Sequence, residues 1–326
     1  MPVYNVELYI AEAIESILSQ TFEDFEFIVI NDGSTDRTSE IVLSFNDPRI
    51  LFINNIINKK KIACLNDGLR IAKGDFVGFM DGDDIAAKTW LEKQYSLLIK
   101  DDDIGVCGTW FESFGDYSQT HRLPLTHDEI YFNLLTGCPI THPLIRKRLL
   151  NEYNIFFDPE FFSEDSYLLI KLADITRLAN NPEVLYKYRV HANQVTQKFK
   201  NILNESLIRE KKIHFNNLYR KLTSFENISG IEFQPNHIVD IRDLKNYESL
   251  TLLLFNENRE KRIFSQDILQ ETLSEQFFRL IGSQSRFNLY SMIYFYLSPL
   301  QKYMRLSFTQ HIKFIVKSIF YKRIKK

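Results

Sequence analysis

The chain of 326 residues lacks the features that mark several classes of protein. Its three cysteines, Cys64, Cys107 and Cys138, form no CxxC pair and have no histidine nearby at zinc-ligand spacing. We therefore expect small buried side chains in a reducing compartment, not disulfides or a zinc site. The start lacks the basic residues and apolar core of a signal peptide, and no window holds the roughly 18–20 unbroken apolar residues of a membrane span.

Acidic residues are absent after Glu275, although the net charge of the whole chain is only −2. Residues 276–326 carry ten basic side chains, so the first 275 residues carry the other 30 together with all 42 acidic ones. This polarity indicates an anionic partner for the tail. For the rest of the chain, which is acidic, we expect no nucleic-acid partner.

Strand-like and helix-like segments alternate through about residue 110. The alternation predicts an α/β fold with a doubly wound, mostly parallel sheet flanked by helices. From about residue 200 the periodicity is helical, so residues 1–200 are expected to form the α/β domain and residues 201–326 a mainly helical carboxyl-terminal region. Strands are expected near 25–30, 50–53, 75–80 and 104–111, and helices near 8–18, 35–45, 61–73 and 88–100.

A cluster of carboxylates follows the strand expected at 75–80. Asp81, Asp83 and Asp84 lie within four residues, and like charges at that spacing repel unless a cation sits among them. In an open α/β sheet, ligands bind at the carboxyl ends of the strands. Oxygen ligands there suit Mg²⁺ or Mn²⁺, which usually bind together with substrate phosphates. The alternative is an acidic turn that caps the next helix.

Further motifs follow the order and spacing of a known family. The motifs are Met1–Asn5, which looks like the end of a first strand, Ser19–Phe22, Phe27–Asp36, Ala63–Asp75 leading into the acidic cluster, Ser163–Asp165 and Tyr188–His191. Together they resemble glycosyltransferase family 2 on the GT-A fold, of the bacterial surface-polysaccharide type, over roughly residues 1–200.

The resemblance implies a site for a UDP-sugar donor. Asp32, at a strand end, would accept a hydrogen bond from N3 of uracil; the alternative role is that of a turn residue closing Asp-Gly-Ser. Tyr4 would stack on the base, and Gly82 would let the backbone approach the nucleotide closely. The other donor contacts that the resemblance implies are Pro2, Val3, Asn66 and Asp81.

The same resemblance implies a divalent ion, Mn²⁺ or Mg²⁺, on the diphosphate of the donor. Asp83 would coordinate this ion, and Asp81 would contact the ion or the ribose. Asp84 would support the site or cap the helix expected at 88–100. His191 would lie close to the diphosphate; the alternative is an ordinary hydrogen-bonded histidine. The ion is needed because the leaving nucleoside diphosphate gains charge in the transition state.

On the acceptor side, the resemblance implies a general base at Asp165. An inverting transfer needs a carboxylate opposite the diphosphate to take the proton of the acceptor hydroxyl. Glu164 would orient the site or the acceptor, although an acidic pair is also favoured by the dipole of a helix start. His142, in Thr-His-Pro, lies in a stretch that resembles the acceptor-side segment of the family. The implied activity is transfer of a hexose or N-acetylhexosamine to a hydroxyl of a glycan or lipid-linked acceptor.

Two departures from the family pattern matter. Met1 stands where residues of the first strand are usual, so that strand would be nearly absent and its neighbours would keep unpaired backbone groups, unless the true start lies upstream. Lys60 stands where glycine is common, and we interpret the run Lys59–Lys61 as solvated lysines instead of diphosphate contacts. The first departure leaves an inactive nucleotide-binding or scaffolding relative as an alternative. A sugar nucleotidyltransferase is disfavoured, because no glycine-rich basic loop follows the first strand.

The tail combines its positive charge with an apolar stripe at helical spacing. A basic amphipathic helix can lie in a membrane interface, where apolar burial and attraction to anionic lipids add. We therefore expect a cytoplasmic protein whose tail contacts the inner face of the cell membrane. The alternative is that the stripe packs on the catalytic domain or a partner subunit. The stripe consists of Ile312, Ile315, Val316, Ile319 and Phe320, flanked by Lys313, Lys317 and the basic end from Lys322 to Lys326.

Overall fold

The computed structural model describes residues 1–192, 194, 199–223, 241–283, 289–304 and 309. They fall into two compact units: Met1–Ile130 with Cys138–Ser206, and Tyr131–Gly137 with the described part of Leu207–Lys326. No helix in these ranges is long and apolar enough to cross a membrane. The domain boundary at residue 200 stays a prediction, and so does the role of the tail stripe, which lies outside the described ranges.

A three-stranded parallel sheet opens the first unit, in the order β1-β2-β3. The strands are β1 (Pro2–Val3), β2 (Phe27–Asp32) and β3 (Ile50–Asn55), and the helices are α1 (Ile10–Leu18), α2 (Thr38–Leu43) and α3 (Lys61–Ile71). Val29 and Ile30 of β2 are both buried although they face opposite sides of the sheet. Burial on both faces explains why this strand is a continuous apolar run.

A second, six-stranded sheet in the same unit is mixed. Its strands are β4 (Phe76–Gly78), β5 (Ile85–Ala86), β6 (Ile104–Gly115), β7 (Gln119–His121), β8 (Leu144–Arg146) and β9 (Arg177–Val190). The helices here are α4 (Trp90–Lys100), α5 (His127–Asn133), α6 (Lys147–Glu152) and α7 (Glu164–Ala173). β6 and β9 run parallel, and the other pairs are antiparallel. The predicted α/β class is confirmed, and the antiparallel pairs are an addition that the local alternation did not indicate.

The first strand consists of only two residues, which pair in register with the end of β2. The ammonium group of Met1 donates a hydrogen bond to the carbonyl oxygen of Ile28 at 2.8 Å, and desolvation lowers the pKa of this ammonium to about 5. Next to it lies a cavity of about 120 Å³, lined on one side by Phe27 and Ile28 and on the other by Val77–Met80. Residues of β1, β2 and β4 thus share the lining of this cavity.

Two glycines give opposite expectations for stability. Gly68 lies in α3 and lines this cavity, and a Cβ added there would meet, outside its own helix, only the Cδ1 atom of Ile30 at 3.5 Å. Because alanine favours a helix over glycine by about 1 kcal/mol, Gly68→Ala should raise the free energy of unfolding by about that amount.

Gly115 has a φ of 103°, and its added Cβ would lie 2.5 Å from the carbonyl oxygen of Val190. We expect Gly115→Ala to lower the free energy of unfolding by about 2 kcal/mol or more.

Urea unfolding of the two alanine variants beside the parent chain measures both changes. A lower midpoint for Gly68→Ala, or an unchanged one for Gly115→Ala, would contradict the backbone conformations described here.

The described part of the second unit is mainly helical, as predicted. It contains the part of α8 (Lys200–Leu222) that begins at Leu207. It also contains α9 (Ile241–Lys261), α10 (Gln266–Ser283), α11 (Leu289–Leu297) and a 3₁₀ helix at Pro299–Tyr303. The earlier segment Tyr131–Gly137 belongs to this unit as well. Nε2 of His214 lies 2.6 Å from the carbonyl oxygen of Tyr131, and the side-chain amide of Gln276 donates a hydrogen bond to the carbonyl of Phe132 at 3.0 Å.

Candidate active site

The predicted site carboxylates come from three places in the chain. Asp32 ends β2, residues 81–84 follow β4, and Glu164 and Asp165 open α7. Lys61, the first residue of α3, connects two of these places, because its Nζ lies 3.0 Å from Oδ1 of Asp81 and 3.0 Å from Oε1 of Glu164. The fold therefore brings the predicted donor-side carboxylate of Asp81 and the predicted acceptor-side carboxylate of Glu164 to one ammonium, and this place in the first unit is the predicted cleft.

Asp81 is paired with a cation. Besides Lys61, His142 lies near it, with Nε2 at 3.9 Å from Oδ2 of Asp81. Desolvation works against ionisation, but the charge of Lys61 and the neighbouring His142 outweigh it and lower the pKa of Asp81. The interpretation of Lys61 as a solvated lysine is wrong, because its ammonium contacts two carboxylates. Its side chain is nevertheless 40% exposed.

Asp83 and His191 are adjacent, with Nε2 of His191 at 3.0 Å from Oδ2 of Asp83. The imidazole ring also packs against the ring of Tyr9, with centroids 4.9 Å apart, and its buried Nδ1 has no hydrogen-bond partner in the part of the chain that the structure describes. Desolvation, followed by the charge of Asp81, raises the pKa of Asp83. A bound cation would favour the ionised carboxylate.

Asp84 is buried, with 1% of its surface exposed, and is bonded to β9. Its Oδ1 accepts a hydrogen bond from the backbone N–H of Arg189 at 2.8 Å, and its Oδ2 accepts one from the hydroxyl of Tyr186 at 3.0 Å. Desolvation and the charges of Asp81 and Asp83 raise the pKa of Asp84 well above its usual range. Of the two roles expected for Asp84, these bonds match support of the site, not capping of α4.

His142 lies against the acidic cluster. Its Nε2 is 3.6 Å from Oδ2 of Asp84, and its ring stacks on that of Tyr186 with centroids 3.8 Å apart. The backbone φ of His142 is 44°, in the left-handed region that residues other than glycine rarely occupy. Such strain is concentrated at functional sites. Contact of His142 with the acceptor stays a prediction, and its observed neighbours are the predicted donor-side carboxylates.

The donor atoms gathered here are those that a divalent ion requires. One ligand atom each from Asp81, Asp84 and His142 lies within 4.8 Å of the others. The predicted ligands Asp83 and His191 form a pair of their own, 3.0 Å apart, and the charge of Asp81 acts on Asp83. Carboxylate oxygens suit Mg²⁺ and Mn²⁺, and imidazole nitrogen is accepted by transition metals. The residues present therefore fit a divalent ion.

Glu164 and Asp165 differ in their surroundings. The side chain of Glu164 is only 12% exposed and faces Lys61. Asp165 is an exposed residue, but the protein around its carboxyl group still removes part of the hydration of that group. Desolvation, followed by the charge of Glu164, raises the pKa of Asp165 to about 6, against the opposing charge of Lys61. A carboxylate with this pKa is ionised at neutral pH and is basic enough to receive a proton.

Asp32 is buried, and its carboxylate fixes the loop before α3. Its two oxygens accept hydrogen bonds from the backbone N–H groups of Lys59 and Lys60, each at 2.8 Å. The Asp-Gly-Ser turn is closed by another side chain, since Oδ1 of Asn31 accepts from the hydroxyl of Ser34 at 2.5 Å. A carboxylate has about four acceptor positions, so Asp32 can accept a hydrogen bond from uracil in addition to its bonds from the backbone. This uracil contact stays a prediction.

The residues at the end of β1 divide into exposed and buried ones. Tyr4 is 49% exposed and free to stack on a base, Pro2 is partly buried, and Val3 is only 3% exposed. A Cβ added to Gly82 would lie 2.7 Å from Cγ1 of Val3. Glycine at position 82 is therefore already required by a side chain of the protein, and a close approach of this backbone to the nucleotide stays a prediction.

Asn66 joins α3 to the segment that precedes α7. Its amide nitrogen donates a hydrogen bond to the carbonyl of Phe157 at 2.9 Å, and its amide oxygen accepts one from the N–H of Phe157 at 3.0 Å. The amide is thereby occupied by the backbone. A nucleotide contact by Asn66 stays a prediction.

Sequence reasoning missed three side chains of this cleft: Lys61, Tyr186 and Arg189. Nε of Arg189 donates a hydrogen bond to the carbonyl oxygen of Asp83 at 2.7 Å. For Lys61 a signal was present, because a cation at the first position of a helix opposes the helix dipole and calls for a compensating partner. No local pattern identifies Tyr186, whose partner Asp84 lies 102 residues earlier.

Comparisons with known proteins agree with this arrangement. The model of the family described as Glycosyl transferase family 2 matches residues 1–156. An uncharacterized glycosyltransferase of Haemophilus influenzae is 31% identical over 332 residues, which is 97% of this chain and 94% of that protein. WfgD of Escherichia coli, a UDP-Glc:alpha-D-GlcNAc-diphosphoundecaprenol beta-1,3-glucosyltransferase, is 30% identical over 63% of this chain and 80% of its own length.

Two solved structures share the fold. Residues 1–349 of S. aureus TarS, in complex with UDP-GlcNAc, match with a TM-score of 0.55 at 18% identity, over 98% of this chain and 80% of that chain. The mannosyltransferase PcManGT from Pyrobaculum calidifontis, in complex with GDP-Man and Mn²⁺, matches with a TM-score of 0.51 at 18% identity, over 100% of this chain and 86% of that chain. With a relative 31% identical along almost its entire length and the family model over its amino-terminal half, the chain belongs to glycosyl transferase family 2 and is a glycosyltransferase.

Proposed function

We propose that this glycosyltransferase moves a hexose or N-acetylhexosamine from a UDP-sugar to a hydroxyl of a glycan or lipid-linked acceptor in surface polysaccharide synthesis. The names of WfgD, which uses UDP-Glc, and of the TarS complex with UDP-GlcNAc support the donor class. The observation that carries the proposal is the contact of Lys61 with both Asp81 and Glu164, across which a donor and an acceptor can meet.

The acceptor step is assigned to Asp165. The acceptor oxygen attacks the anomeric carbon from the face opposite the diphosphate. The new carbon–oxygen bond forms as the bond to the UDP oxygen breaks, and the hydroxyl proton passes to the carboxylate of Asp165. The configuration at the anomeric carbon is thereby inverted. Solvent access and a pKa of about 6 suit Asp165 to this step. Glu164, held by Lys61, orients the acceptor.

The donor step is assigned to Asp83, Asp81 and His191, which would hold Mn²⁺ or Mg²⁺ at the diphosphate. When bound, the ion supplies positive charge against the charge that develops on the departing UDP. Asp32 and Tyr4 bind the uracil end. Support for the metal assignment is the 3.0 Å contact between Asp83 and His191. The competing group of ligand atoms is that of Asp81, Asp84 and His142, which shares Asp81 with the proposed set.

We further propose that residues 1–200 form the catalytic domain and that the basic tail beyond residue 300 holds the protein on the inner face of the membrane. The absence of acidic residues after Glu275 supports the second proposal. Co-sedimentation of the full chain and of a chain ending at residue 300 with anionic vesicles tests it. Equal binding of both chains would remove the membrane role.

A donor panel tests the proposed activity. UDP-glucose, UDP-N-acetylglucosamine and GDP-mannose are each incubated with Mn²⁺, the full-length chain and a lipid-linked N-acetylglucosamine diphosphate. Nucleotide release and the mass of the acceptor are then measured. We expect release of UDP that depends on the acceptor, with a mass gain of one sugar. Turnover of GDP-mannose alone would contradict the donor assignment.

An inactive nucleotide-binding relative is the second candidate. The observation that favours it is the two-residue β1 beside an apolar cavity, because this strand precedes the loop that carries Tyr4. Calorimetric binding of UDP without any product across the panel would select this candidate.

A further inference from the structure

Lys61 is the single cation that joins the two halves of the cleft in this structure, among the residues described. Its Nζ lies 3.0 Å from Oδ1 of Asp81, on the donor side, and 3.0 Å from Oε1 of Glu164, on the acceptor side. Although desolvation acts in the opposite direction, the charges of Asp81 and Glu164 raise the pKa of Lys61 well above its usual range.

The two preceding lysines are placed differently. Lys59 is 51% exposed and pairs with Asp67 at 3.2 Å, away from the acidic cluster. Lys60 adopts a left-handed φ of 77° and is the residue from which α3 starts. A cation in the first turn of a helix is unfavourable with respect to the helix dipole. The position of Lys61 is thus explained by its two carboxylates and not by the stability of α3.

Backbone hydrogen bonds fix the start of α3, the helix whose first residue carries this ammonium. The N–H groups of Lys59 and Lys60 donate to the buried carboxylate of Asp32 at 2.8 Å each, so the start of α3 is tied to the end of β2. The chain of contacts then runs from Asp32 through the loop to Lys61 and on to Glu164. The predicted uracil end of the cleft is connected in this way to the predicted acceptor end.

The charge of Lys61 also acts on Asp165, the neighbour of Glu164. The groups that influence this carboxylate are Glu164, Lys61, Asp81 and His142. After desolvation, which has the largest effect, Glu164 and Asp81 raise the pKa of Asp165, whereas Lys61 and His142 lower it. By pairing with Glu164, the ammonium offsets the carboxylate that most disfavours an ionised Asp165.

We propose that Lys61 is a positioning residue for the transfer reaction, whose ammonium holds the donor-side Asp81 and the acceptor-side Glu164 in one arrangement and thereby prepares Asp165 to accept a proton. This inference rests on the proposed role of Asp165 as the general base. Lys61 itself need not touch the substrate. Its charge, and not its volume, is the property that the arrangement uses.

The test compares Lys61→Met, Lys61→Arg and the matched control Lys59→Met in the full chain. Removal of the charge should move the acid limb of the kcat profile upward by about one pH unit, so the ratio of kcat at pH 5 to kcat at pH 8 falls about tenfold below that of the parent. Lys61→Arg should restore most of the parent profile, and Lys59→Met should leave it unchanged. A parent-like limb in Lys61→Met would overturn the proposal.

A second measurement works without turnover, so that failure of the proposed activity and failure of this inference can be told apart. The carboxyl carbon resonance of Asp165, assigned by its loss in Asp165→Asn, is titrated by NMR. We expect its midpoint to rise in Lys61→Met. In Glu164→Gln, which removes the opposing negative charge, the midpoint should fall. These opposite shifts are specific to the charges, whereas equal midpoints in all three chains would refute the inference even in an active enzyme.

Discussion

Replacement of Asp165 by asparagine is expected to lower kcat by about 10³-fold, within the range of about 10²–10⁴ that general bases contribute. The amide keeps the size of the side chain but cannot take the proton of the acceptor hydroxyl. Binding of UDP should change little, because the nucleotide is assigned to the opposite side of the cleft. Steady-state kcat with saturating donor and acceptor, together with calorimetry of UDP binding, measures both quantities.

Asp24→Asn is the matched control, because Asp24 is an exposed aspartate in the loop between α1 and β2. It should retain the parent kcat. If Asp165→Asn kept kcat within about threefold of the parent, the base would have to be another group.

The direction of the pKa shift of Asp165 determines how kcat of the same reaction depends on pH. Desolvation and the charge of Glu164 raise the pKa of Asp165 to about 6, so its carboxylate becomes protonated as the pH falls through that value. A base must be ionised, and kcat should therefore be constant above the limb and fall about tenfold per pH unit below it. An aspartate with an ordinary pKa would keep the activity down to about pH 4.

Replacement of Asp83 by asparagine is expected to lower kcat by at least about 100-fold, because it removes an anionic ligand from the ion that stabilises the departing UDP. The Mn²⁺ dissociation constant in the presence of UDP, measured by electron paramagnetic resonance, should rise in parallel. Asp102→Asn serves as the control, since the side chain of Asp102 is 89% exposed and pairs with Arg146.

Two matched histidine variants decide which set of ligands holds the ion. If it lies at Asp81, Asp83 and His191, then His191→Asn should weaken Mn²⁺ binding by about 10–100-fold, and His142→Asn should have a much smaller effect. Asparagine is chosen because it tolerates the left-handed backbone of His142, whose φ is 44°. The reverse order would move the ion to Asp81, Asp84 and His142, whose ligand atoms lie within 4.8 Å of one another.

Much of the first unit could be predicted from local patterns. The helix expected at 61–73 is observed at Lys61–Ile71, and the strand expected at 75–80 is observed at Phe76–Gly78. Apolar spacing and the residues at element ends determine such segments, because they depend on neighbours within a few positions. The acidic cluster was identified for the same reason, since its three carboxylates lie within four consecutive residues of the chain.

The partners of those acidic residues could not be predicted in this way. Arg189, 105 residues after Asp84, donates its N–H to Asp84, and the hydroxyl of Tyr186 occupies the other oxygen of the same carboxylate. Lys61 looked like one member of a solvated basic run until the fold placed it between Asp81 and Glu164. Gly82 similarly has its reason in Val3, far away in sequence.

The sequence alone determined that the chain forms an α/β domain with carboxylates at the ends of β2 and β4 and at the start of α7. Local spacing of side chains is enough for this, because secondary structure and strand polarity follow from it. Only the tertiary structure decided which of them is paired with Lys61, which is occupied by the backbone or by Tyr186, and which is left open to solvent. Charge, burial and hydrogen bonding act through space, so they depend on residues that the fold brings together, among them the pairs Lys61–Glu164 and Asp84–Tyr186, each more than 100 positions apart in the chain.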